Sequence, residues 1–95
     1  MNEKNQVRVG VVGVGGMGGW HARSILQGEV PGAELAAVCD VNPAAMEGFG
    51  NVARFESQSE LLRSGRIEAV VIATPHYHHT PTAIEAFEAG LHVLC

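Results

Sequence analysis

Basic residues are sparse in this 95-residue chain, with six Lys and Arg against ten Asp and Glu and a net charge of -4. They are scattered as Lys4, Arg8, Arg23, Arg54, Arg63 and Arg66, whereas a sequence-independent grip on nucleic acid needs a basic stripe. No nucleic-acid partner is expected. Cysteine is equally scarce: Cys39 and Cys95 each end an apolar run, without C-x-x-C spacing or the density of a secreted disulfide scaffold. They read as buried, reduced thiols. No apolar run approaches the ~20 residues of a membrane helix, and the polar start MNEKNQ holds no signal-peptide core. The expectation is a cytoplasmic protein with no membrane partner. Charged residues make up only 17% against 46% hydrophobic, a balance that leaves little room for a long disordered tract and suits one compact domain.

What the chain does contain is glycine, in a telling place. Val7 to Val12 is β-branched and apolar apart from Arg8, like a strand buried on both faces. Met17 to Gln27 then has helical character, with Ala22, Ile25 and Leu26 on one face with Gly18, and Gly28 as terminator. Leu35 to Cys39 is a second strand, and Asn42-Pro43 offers a cap and first turn for a helix from Pro43 to about Gly50. A short strand over Val52 to Phe55 follows, then a capping-box pattern, Ser57-Gln58-Ser59-Glu60, opening a helix that ends near Gly65. Ile67 to Thr74 is another two-sided strand. Thr80-Pro81 opens the last helix, with Ala83, Ile84 and Phe87 as its apolar face, and Gly90 stops it before a strand over Leu91 to Cys95. Strands and helices in strict alternation, βαβαβαβαβ, predict a doubly wound parallel sheet with helices on both faces, a three-layer α/β/α fold. Ending within an apolar strand, the chain is expected to be truncated.

Between the first strand and helix lies GVGGMG, in which Gly13, Gly15 and Gly18 have the spacing G-x-G-x-x-G. In a dinucleotide-binding βαβ unit the first glycine permits the turn, the second admits the pyrophosphate to the backbone, and the third lets helix pack on strand. The helix start then aims N–H groups and its positive dipole end at the phosphates. The unit also requires an acid about 20 residues on, at the end of the second strand, to accept from a ribose. Asp40 stands there, directly after AAVC. Its carboxylate suits a 2′,3′-diol and repels a 2′-phosphate, and no Lys or Arg between Val41 and Val52 offsets that repulsion, so NAD is favoured over NADP. A purely structural glycine turn, and a capping role for Asp40, are the competing readings.

ATPHYHHTP, Ala73 to Pro81, leaves the fourth strand at its carboxyl end, the rim where such sheets bind ligands. Zinc is disfavoured there, because neighbouring histidines on a short loop point apart and no H-x-x-x-H or cysteine pair completes a set. Pro75, His76 and His79 read instead as shaping the cleft, against the alternative of solvated loop residues. His21 and Trp20 read as packing residues, and His92 as a partly exposed edge-strand residue.

VRVGVVGVGGMGGWHARSI, AAVCDVNP and IATPHYHHTPTAIEAFEAGLHVLC together resemble, along nearly the whole chain, the N-terminal domain of the Gfo/Idh/MocA (glucose–fructose oxidoreductase / inositol dehydrogenase) family. The last stretch is the specific one, with Thr74, Pro75 and His79 in a T-P-x-x-x-H loop, then Ala89-Gly90 and a strand of the K-H-V-L-C kind. The resemblance implies a Rossmann-type fold in an NAD(P)-dependent dehydrogenase that moves a hydride between nicotinamide and a hydroxyl-bearing carbon of a sugar, inositol or related polyol. It implies a cofactor-binding set of Gly13, Val14, Gly15, Gly16, Met17, Gly18, Asp40, Val41, Ala73, Thr74, Pro75, His76 and His79, with Thr74, Pro75 and His79 lining the path to the nicotinamide. The family often has Asn in place of His76 and Lys in place of Leu91.

The family's Glu-Lys-Pro motif and the acid or base of its second domain have no counterpart in these residues. No catalytic residue and no metal ligand is therefore expected within the chain. Residues 1–95 would be the cofactor half of a larger enzyme, inactive alone, whose full-length form is expected to be a homo-oligomer. A free-standing NAD-binding sensor or regulatory module is the alternative. A methyltransferase shares the glycine loop and the ribose acid, but the complete G-x-G-x-x-G and the TPHYHH loop argue against it.

Overall fold

The computed structural model describes residues 6–73 and 79–94. Along the chain it runs β1 (Val7–Val12), α1 (Met17–Leu26), β2 (Ala33–Cys39), a 3₁₀ turn (Pro43–Met46), β3 (Ala53–Phe55), α2 (Gln58–Leu62), β4 (Ala69–Ile72), α3 (His79–Glu88) and β5 (His92–Leu94). All pairings are parallel, and the sheet order is β3-β2-β1-β4-β5. The chain therefore winds outward from β1 in one direction, then crosses back and winds outward in the other. With right-handed crossovers, that reversal puts the helices of the two halves on opposite faces. Ala22 and Ile25 of α1 share a buried cluster with Val9, Val11 and Val38. Leu61 and Leu62 of α2 and Ala86 of α3 share the other, with Val12, Cys39, Val70 and Ile72. The expected three layers are present.

One irregularity sets the direction of the second strand's end. Val9 pairs with Leu35 but Gly10 pairs with Ala37, so Ala36 is an extra residue in β2. Such a bulge shifts the side-chain alternation by one. Leu35 and Val38, three positions apart, consequently lie in the same core, while Ala37 and Cys39 face the other.

Several expectations are corrected. The segment after Asn42 makes only a 3₁₀ turn, not a helix to Gly50: Asn42 Oδ1 accepts from Ala44 N at 3.1 Å, but Glu47 is already extended. Gly48 and Gly50 follow at φ +88° and +69°, a conformation that turns the chain sharply. This tucks Phe49, fully buried, under the Arg23 guanidinium, 5.0 Å from its ring centre. In α1 the buried stripe is Gly18, Gly19, Ala22 and Ile25, leaving Leu26 exposed. Trp20 is 63% exposed, stacked edge-on against His21 rather than packed in the core. In α3, Ile84 and Phe87 are exposed, and Thr82 and Ala86 are the fully buried pair, with Ala83 partly buried. Small residues on that face let α3 approach the sheet and α2 closely, which larger side chains would prevent. At the outer end of β1, Val7 and Arg8 are exposed, so only Val9 to Val12 have the two-sided burial expected of the whole strand.

Other expectations hold. Ser57 Oγ accepts from Glu60 N at the start of α2, Cys39 is a buried free thiol, and His92 is exposed on the edge strand. Cys95 lies outside the described residues.

Candidate functional site

The winding reverses between β1 and β4, and loops leaving the carboxyl ends of those strands must part there. Such a parting is where open α/β sheets take ligands. A cleft of about 550 Å³ lies at this rim, lined by Val12, Gly13, Gly15, Gly16, Cys39, Asp40, Val41, Glu56, Gln58 and Ala73.

The three motif glycines are needed for three different reasons. Gly13 sits at φ +87°, which an L side chain rarely adopts. A Cβ on Gly18 would collide with the carbonyl oxygen of Gly13 and come within 2.8 Å of Ala73 Cβ, so only glycine lets α1 start this close to the end of β1. Gly15 has no such constraint: a Cβ there would meet only Asp40 Oδ2 at 3.8 Å and Ala45 Cβ at 3.9 Å. The bare backbone at Gly15 and Gly16 leaves open a cradle for a bulky group.

Both donors and an acceptor stand around the cradle. Helix α1 starts without a side-chain cap, and its first bonds, from Gly19 N at 2.9 Å and Trp20 N at 3.2 Å, run to Gly16 O. The Met17 and Gly18 amides meet no acceptor among the described residues, as expected of an anion-binding helix start. Facing them, Asp40 is pinned at both oxygens: Oδ2 accepts from Val14 N at 3.0 Å and Oδ1 from Asn42 N at 2.9 Å. An ionised carboxylate has about four acceptor positions, so lone pairs remain for an incoming hydroxyl pair. Asp40 thus orders the turn before the 3₁₀ segment and keeps capacity for a ligand. Just beneath, burial first, and then the Asp40 and Glu60 carboxylates, push the Cys39 thiol up to about 11.

Of the expected set, Gly13, Gly15, Gly16, Asp40, Val41 and Ala73 line the cleft. Val14 contributes its backbone N–H to Asp40 while its side chain is buried. Met17 is exposed and opens toward a second groove under α1. Gly18 stands behind the cleft as the packing contact. His79 is the first residue of α3, and Thr74, Pro75 and His76 lie outside the described residues. Two further lining residues, Glu56 and Gln58, belong to no motif that the sequence marks as a binding site. They flank Ser57, whose capping pattern places the helix start at the carboxyl end of β3, and that position is on the same rim.

A sheet in this order, with a glycine turn after its first strand and an acid closing its second, defines a dinucleotide-binding Rossmann domain. Residues 7–95 match the family described as oxidoreductase family, NAD-binding Rossmann fold, and the chain belongs to this GFO_IDH_MocA family. It is an NAD-binding domain. Inositol 2-dehydrogenase of Rubrobacter xylanophilus is 43% identical over 98% of this chain, which spans 27% of that relative. Scyllo-inositol dehydrogenase from Lactobacillus casei, solved with bound NAD(H) and scyllo-inositol, superposes with a TM-score of 0.85 at 32% identity, over 93% of this chain and 27% of that one. The WlbA dehydrogenase from Bordetella pertussis, solved with NADH and UDP-GlcNAcA, gives 0.81 at 38% identity, over 93% and 28%. The chain thus spans about a quarter of the length of these relatives.

Proposed function

We propose that this chain is the cofactor-binding part of a dehydrogenase that oxidises a ring hydroxyl of an inositol or related polyol. Oxidation of a secondary alcohol removes a hydride from carbon and a proton from oxygen, and bound NAD supplies the hydride acceptor. The chain's own residues bind and orient. The bare backbone of Gly13, Gly15 and Gly16 and the amides at the start of α1 take the pyrophosphate, and Asp40 accepts from the adenosine ribose. Val41, 85% exposed at the cleft, offers an apolar surface to the adenine.

The arrangement that carries this reading is the bare backbone of Gly15 beside a pinned Asp40, a glycine turn with a carboxylate acceptor at its edge. NAD is preferred over NADP because a second carboxylate, Glu56, joins Asp40 and no cation stands among the described lining residues. None of these residues is assigned the acid–base step. The proton acceptor and the polyol pocket belong to the remaining length that the relatives possess, and the complete protein is proposed to be a homo-oligomer. The unpaired Cys39 is consistent with a reducing compartment such as the cytoplasm.

Calorimetric titration of the chain with NAD and NADP, alongside Asp40→Ala, tests the reading. Saturable NAD binding, weakened about tenfold or more in the variant by the loss of charge-assisted hydrogen bonds, with NADP markedly poorer, is expected. Equal affinity for both cofactors, or an Asp40→Ala variant that binds NAD unchanged, would overturn the assignment of Asp40.

A further inference from the structure

Among the described residues, the last helix touches a lining residue of the cleft through a side-chain hydrogen bond. Thr82 of α3 is fully buried, and among the described residues it is the polar side chain so enclosed. Its hydroxyl donates to Gln58 Oε1 at 3.0 Å, and Gln58 lines the cleft with Asp40, Val41 and Glu56. A carboxamide has an acceptor end and a donor end. With Oε1 held by Thr82, the donor end is the one left to the cleft, and Nε2 meets no acceptor among the described residues.

We propose that Gln58 recognises the adenine of the bound dinucleotide through Nε2, and that Thr82 is the positioning residue that fixes its orientation. This rests on the placement of NAD in the Asp40 cleft. Complementarity supports it. Asp40 and Glu56 can only accept when ionised, which suits the hydroxyls of a ribose. The ring nitrogens of adenine need a donor, and apart from the weak Cys39 thiol, Gln58 is the donor side chain among the described lining residues. Nor is the Thr82 bond required to clamp the two helices. Glu85 of α3 already accepts from Ser59 Oγ at 2.9 Å and Arg63 Nε at 3.2 Å, both on the α2 side. Burying a hydroxyl costs more than burying a methyl unless the hydrogen bond is used.

The test is the affinity of the chain for 5′-AMP, measured by calorimetry with melting temperatures in parallel. Gln58→Glu keeps an acceptor for Thr82 and deletes the donor, and is expected to weaken AMP binding about tenfold, the worth of one well-placed hydrogen bond. Thr82→Val, matched in shape, should weaken it about threefold, the affinity lost when a held side chain becomes mobile. Thr82→Ser should restore it, and Thr82→Val added to Gln58→Glu should cost nothing more. If both single variants bind AMP like the parent while Asp40→Ala does not, the pair is a structural link and the proposal fails, with the cleft intact. A fall in melting temperature with unchanged AMP affinity overturns it in the same way. If Asp40→Ala also binds normally, the placement of the nucleotide fails and the proposal falls with it.

Discussion

Around the carboxyl ends of β1, β2 and β3, polar groups are fixed by the chain itself: Asp40 by two backbone amides and Gln58 by a buried hydroxyl. Across the winding reversal, on the α1 face of β4 and β5, a groove of about 700 Å³ is lined instead by Trp20, Ile25, Val30, Val71 and Leu94. There Trp20 is 63% and Leu94 61% exposed. Topology accounts for the contrast. The β4 to β5 crossover places α3 on the opposite face, so among the described residues α1 is the helix on this side. The cleft at the rim is preorganised, where ordering before binding lowers the cost of association. The groove is mainly apolar, with Trp20 set edge-on against His21.

Substitutions can separate the halves. The largest effect is expected from Gly18→Ala. A methyl there overlaps the Gly13 carbonyl oxygen, so α1 must shift, at a cost of about 3 kcal/mol in chemical denaturation and with loss of NAD binding. Cys39 gives a pH signature next in size. Its folded pKa of about 11 lies above the ordinary value of 9.0, so the unfolded chain releases this proton first as the solution becomes alkaline. Its contribution to stability is fully present below pH 9 and is lost as pH rises toward about 11. Unfolding midpoints across that window should fall less steeply in Cys39→Ala than in the parent. Glu56→Gln removes one of two carboxylates from the cleft and should raise NADP affinity about threefold, as expected for a solvent-exposed charge, with NAD affinity unchanged by calorimetry. The smallest effect belongs to the open face. Trp20→Ser should alter stability by no more than about 0.5 kcal/mol, although tryptophan in a small domain is usually costly to remove.

This division also marks what the sequence made legible. The glycine turn after β1, the place of Asp40 at the end of β2 and the order of the five strands depend on local geometry and short-range order, and the structure has them where they were expected, with the alternation broken only after Asn42. The exposed Trp20, Ile84 and Phe87 could not be told from core residues, because apolar periodicity marks a stripe but not which neighbour covers it. The buried face of α3 passes through Thr82, a residue that hydrophobic patterning discards, since its burial depends on Gln58, distant in sequence. The helix expected after Asn42 is only a 3₁₀ turn because Phe49 is buried between two left-handed glycines. Ala36, the bulge that sets the alternation leading to Asp40, has no signature in composition at all.

The most direct test of the contrast is a comparison of the chain's affinities for NAD and for ADP-ribose, which lacks only the nicotinamide. If the chain's preorganised contacts lie on the adenosine side, the two should bind within about threefold of each other, less than the ~1.4 kcal/mol of a tenfold difference. An NAD affinity more than tenfold tighter would contradict this, and would mean that the β4–β5 side already holds the nicotinamide.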